Sequence, residues 1–93
     1  MHVITYDPAK RAKTIKERQL DFVRANEVWD KSDLHFTYED ERFSYGENRY
    51  ITVGYLDERM VVIVWTPRGE ARHVISMRKA NAKEQKRYKK RMD

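Results

Sequence analysis

From Leu34 to Tyr38 apolar and polar residues alternate, with Leu34, Phe36 and Tyr38 on one side and His35 and Thr37 on the other. That period of two predicts a strand with one buried face. Met60 to Thr66 is instead a near-continuous run rich in β-branched residues, as expected of a central strand covered on both faces. Pro67, which has no N–H to give to a ladder, is expected to end it. Further strand-like stretches occupy His2 to Tyr6, Arg49 to Leu56 and Ala71 to about Arg78. Asp57 and Glu58 form a tight hairpin connection, and Pro67 to Glu70, with Gly69, form a second turn.

Elsewhere the spacing changes to threes and fours. Asp7 followed by Pro8 is a helix start, because the carboxylate accepts from unpaired backbone N–H groups and proline's fixed φ suits the first helical position. The first helix is predicted over Pro8 to Arg18, with only Ala9, Ala12 and Ile15 apolar, so it lies on the surface. Asp21 caps a second helix running to about Asp30, whose stripe of Phe22, Ala25, Val28 and Trp29 belongs to the core. A third helix covers Ala80 to about Lys90, with Asn81 as cap, Glu84 three residues later and Tyr88 as the apolar anchor. The expected fold is therefore α+β: a short N-terminal strand, two N-terminal helices, an antiparallel four-stranded meander and a C-terminal helix.

A chain of 93 residues has room for one hydrophobic core, so residues 1–93 are read as a single domain. Cysteine is absent, which excludes disulfides and thiolate metal sites and permits a reducing compartment such as the cytoplasm. No apolar run approaches the roughly 18 residues that cross a bilayer. The N-terminus has neither a charged lead nor a small-residue cleavage site, so no signal peptide is expected. The net charge of +5 is unevenly spread. Residues 78–93 carry eight Lys or Arg against Glu84 and Asp93, leaving 12 basic against 13 acidic residues in 1–77. The basic segment 80–91 would meet a polyanion or acidic protein, and RNA is the first expectation.

The three histidines, His2, His35 and His73, lack metal-ligand spacing, and no cofactor is expected. The three glycines are too far apart for a phosphate-binding loop. Cations concentrate around the last hairpin, where Arg68, Arg72, His73 and Arg78 should gather at one end of the sheet. Strict alternation would place Arg72, Val74, Ser76 and Arg78 on one face and His73, Ile75 and Met77 on the other. A second candidate is the loop Arg42 to Arg49, which holds Tyr45 and Glu47 around Gly46. RNA can be cut without a metal when a base removes the 2′-hydroxyl proton and cations neutralise the pentacoordinate phosphate. Glu47, Arg68, His73 and Arg78 are the expected catalytic set, with Arg42, Tyr45, Arg49, Ser76 and Lys79 binding RNA. A domain of the same shape that binds protein or nucleic acid without cleavage is the alternative. Convergence of Arg68, His73, Arg78 and Glu47 would favour catalysis over it.

Several stretches in order, Tyr6-Asp7-Pro8-Ala9-Lys10, Asp40-Glu41-Arg42, Ser44-Tyr45-Gly46-Glu47-Asn48-Arg49, Thr66-Pro67-Arg68 and Ile75-Ser76-Met77-Arg78-Lys79-Ala80, with Glu84 and Tyr88 behind, resemble the BrnT family of bacterial toxins. The resemblance implies a RelE-like ribonuclease fold and a type II toxin-antitoxin system in which RNA cleavage inhibits translation. It also implies a small cognate antitoxin that neutralises the toxin, and through which alone the toxin meets operator DNA. Two positions depart from the family's pattern. Glu17-Arg18-Gln19 stands where a Lys-His-Gly turn is common, and His73 stands where arginine is more usual, which suits residue 73 to proton transfer.

Overall fold

The computed structural model describes residues 3–31, 33–41 and 46–92. Among them are three α-helices, α1 (Pro8–Arg18), α2 (Ala25–Asp30) and α3 (Ala82–Met92), and five strands: β1 (Val3–Thr5), β2 (Phe36–Glu39), β3 (Tyr50–Leu56), β4 (Arg59–Arg68) and β5 (Ala71–Lys79). The strands form one mixed sheet in the order β1-β5-β4-β3-β2. The meander β2 to β5 is antiparallel throughout, while β1 crosses to the far edge and pairs parallel with β5.

The start of α1 follows from its cap, with Asp7 Oδ1 accepting from the Ala9 amide at 2.8 Å. Its end is marked by Gln19, whose φ of 56° is left-handed. Asp21 caps the next segment as expected, but the chain first makes a single 3₁₀ turn, Phe22–Arg24, and only then α2. Later in the chain Asn81 and Glu84 form a reciprocal capping box: the Glu84 amide donates to Asn81 Oδ1 at 2.8 Å and the Asn81 amide to a Glu84 carboxylate oxygen at 3.0 Å.

The sheet has a core on each face. On one, Val61, Ile63, Val74 and Met77 pack with Leu20, Phe22, Ala25 and Val28, flanked by Ile4, Trp29 and Trp65. Close approach of α2 depends on Gly54, where a Cβ would collide with Val28 and stand 3.0 Å from the His35 Cβ. On the other face Ile51, Val53, Met60 and Val62 pack with Ala80 and Tyr88, flanked by Phe36 and Tyr38. Tyr88 is the buried residue of α3, and its hydroxyl lies 3.2 Å from that of Tyr38.

Two expectations need correction. Pro67 does not end β4, which runs on to Arg68 and pairs Pro67 with Arg72. The β3 ladder stops at Trp65, so at Pro67 the strand is a local edge that asks for no N–H on that side. Strict alternation also fails in β5. Val64 pairs with Ser76 but Trp65 with Val74, leaving Ile75 as an extra residue in a β-bulge. Val74 and Met77, three apart, therefore share the face covered by Phe22 and α2, and Arg72 and Arg78 lie on opposite faces.

Candidate active site

The bulge and the parallel edge strand together determine which side chains meet. His73 lies directly across β4 from Thr66 and beside Thr5 of β1. Its Nδ1 is 2.8 Å from the Thr5 hydroxyl oxygen. On β4, Arg68 sits two residues beyond Thr66 and so projects from the same face at the hairpin tip. The Glu47 carboxylate reaches it from the preceding loop, 3.7 Å from the guanidinium. That loop is tied to the strand by the Thr66 hydroxyl, which donates to the Asn48 carbonyl at 2.7 Å.

His73 is half-buried. Desolvation holds its pKa below the usual imidazole value, and Arg68 and Lys10 push it down further, while Glu47 and Asp7 oppose them. The neutral ring is therefore the prevailing form near neutral pH. If Nδ1 carries the proton it donates to Thr5, and the lone pair is then on Nε2 of a ring that feels the charge of Arg68. That is the arrangement of a general base next to an anion site. Among the described residues no three His, Asp or Glu side chains are grouped as a metal would require.

Of the four residues expected to act together, the fold brings Glu47, Arg68 and His73 to one end of the sheet and separates Arg78 from them. Arg78 pairs with Val62, six residues along β4 from Arg68, or roughly 20 Å at about 3.3 Å per residue. It is held by Glu84 through two hydrogen bonds of 2.6 and 2.8 Å. The idea that all the hairpin cations gather at one end is thus corrected: the strand is long, and its two ends hold different arginines. Ser76 and Lys79 occupy the Arg78 half of β5, Ser76 opposite Val64 and Lys79 opposite Val61. Arg49 is half-buried at the entrance to β3, where its carbonyl accepts from the Asp40 amide at 2.8 Å. Arg42 and Tyr45 lie outside the described residues. Thr5 and Lys10 were not singled out from the sequence, since only the parallel pairing of β1 with β5 carries them to His73.

These features define a small α+β protein with a histidine, a guanidinium and a carboxylate clustered at the open end of one sheet. Residues 6–84 match the family described as "Ribonuclease toxin, BrnT, of type II toxin-antitoxin system", and the chain belongs to that family. Membership makes it a ribonuclease toxin whose partner is an antitoxin protein. No curated protein and no solved structure gave a significant match. No helix among the described residues is long and apolar enough to cross a membrane.

Proposed function

We propose that the chain is a metal-independent endoribonuclease of RelE-like architecture that acts in the cytoplasm, cuts RNA, thereby inhibits translation, and is neutralised by its cognate antitoxin. The observation that carries this reading is the cluster of His73, Arg68 and Glu47, with the imidazole held by Thr5.

In the reaction, Nε2 of His73 takes the proton from a ribose 2′-hydroxyl as that oxygen forms a bond to the adjacent phosphorus. The bond from phosphorus to the 5′-oxygen breaks, and the leaving oxygen takes a proton from water. Charge that accumulates on the non-bridging oxygens is neutralised by Arg68, which Glu47 orients. The products are a 2′,3′-cyclic phosphate and a 5′-hydroxyl. A ring kept neutral by burial and by neighbouring cations is available as a base near neutral pH. Arg78 acts differently. It anchors α3 through Glu84 and is assigned to the RNA path together with Ser76, Lys79 and Arg49; Arg42 and Tyr45 are assigned to RNA binding on the sequence alone.

Incubation of the purified chain with RNA in the presence of EDTA tests this. Cleavage by the parent chain and its loss in His73→Ala and Arg68→Ala are expected. Intact RNA in every lane, or equal cleavage by all three proteins, overturns the assignment.

A further inference from the structure

One cation of the last hairpin stands apart from the cluster around His73. Arg72 precedes His73 in β5 and therefore emerges on the opposite face of the same sheet end. Its guanidinium carbon lies 4.0 Å from the ring centroid of Trp29 and 5.4 Å from that of Trp65. The two indoles meet edge to face at 5.7 Å, and Tyr50 adjoins Trp65 at 5.2 Å. Trp65 is fixed from below by donating its indole N–H to the Thr52 hydroxyl at 2.8 Å. The platform is built from three elements, α2, β3 and β4, so its geometry is set by the core.

What the platform holds is a half-buried cation with no hydrogen bond or ion pair to any described residue. Asp30 acts on it only at longer range. Burying a charge without a partner is unfavourable, and aromatic faces compensate only in part. They do fix the plane of the guanidinium, which lowers the ordering cost of a bidentate contact with an anion. Arg72 lies one residue from the β4 to β5 turn, so the His73 face and the Arg72 face are separated only by the thickness of a hairpin tip.

We infer that Arg72, seated on Trp29 and Trp65, is a second phosphate-binding subsite for RNA, so that the bound strand straddles the β4–β5 hairpin with its scissile phosphate at His73. The inference rests on the nuclease reading for its substrate but uses different side chains. RNA is favoured over an acidic segment of a protein partner because the fork stands next to a residue placed at the reacting bond. A polynucleotide held at His73 passes this point.

The only two tryptophans of the chain are both in the platform, so indole fluorescence reports on it directly. A short single-stranded RNA titrated into full-length His73→Ala is expected to quench the emission saturably. Adding Arg72→Ala should weaken binding about tenfold, lower the salt slope by about 1 and remove the quench. Arg72→Lys, which keeps the charge but not the planar fork, should weaken binding less; it carries the comparison if circular dichroism shows the alanine variant unfolded. In the active chain Arg72→Lys should raise KM with kcat nearly unchanged. Unaltered RNA affinity in both Arg72 variants overturns the inference, as does a quench produced by an acidic peptide and not by RNA. Persistent cleavage by His73→Ala would instead refute the catalytic assignment, leaving the binding comparison to decide Arg72.

Discussion

Glu84→Gln should loosen α3 by an amount that depends on pH in a calculable way. The Glu84 carboxylate is 12% exposed and receives two guanidinium hydrogen bonds from Arg78 and one from the Asn81 amide. The Arg78 bonds, chiefly, lower its pKa from 4.5 to about 2. A shift of that size corresponds to a ceiling of roughly 3 kcal/mol. Because Arg78 is 42% exposed, solvent screens the pair, and about 1.5 to 2 kcal/mol is the expected contribution at pH 7. The sign follows from a folded-state pKa lying below the unfolded one. The stabilisation is complete above pH 4.5 and is lost as pH falls toward 2. At pH 3 roughly 40% should remain. Urea unfolding of parent and variant at pH 7 and pH 3, followed by fluorescence, gives the two differences. Equal differences at both pH values, or a difference below about 0.5 kcal/mol at pH 7, would mean that the pair seen between β5 and α3 does not anchor the helix.

Arg68→Ala should lower kcat by about a hundredfold or more through loss of charge neutralisation, whereas Arg78→Ala should act mainly on stability; steady-state cleavage beside unfolding curves separates the two. The acidic limb of the pH–rate profile should lie below 6.5, because His73 is held below its ordinary pKa. By the same interaction Arg68→Gln should move the His73 titration to higher pH and Glu47→Gln to lower pH; histidine NMR titration checks both, and no movement in either would refute the electrostatic coupling. Gly54→Ala should destabilise the fold by about 1 to 3 kcal/mol, because the new methyl meets Val28 and the His35 Cβ; denaturant midpoints measure it.

Much of the architecture is written in local signals. The Asp7-Pro8 start, the Asn81 and Glu84 box, the Phe22, Ala25, Val28 stripe and the run in β4 all found their expected structures, since each depends on neighbours within a few residues. What local pattern cannot contain is pairing at a distance. Nothing near Val3 to Thr5 announces a parallel partner in β5, so the Thr5 support for His73 was invisible. The bulge at Ile75 was equally hidden, because a mixture of β-branched and basic residues fits either alternation. Glu84 was read as a cap, which it is, yet its second engagement with Arg78 required knowing that α3 folds back over the sheet. Arg68 and Glu47, close to turns at the same end, were identifiable by position.

Ile75 also separates two properties that usually travel together in a strand. Because it is the unmatched residue, removing it would leave Arg72 and Val74 on one side and Ser76 and Arg78 on their present sides, with inside and outside preserved. What such a deletion would erase is the local coil of the ribbon, and with it the angle at which the tip carrying His73 stands to the rest of the sheet. The chain therefore contains an adjustment for aim that is independent of chemical content: one amino acid whose presence turns the tip of the hairpin without exchanging any group displayed there.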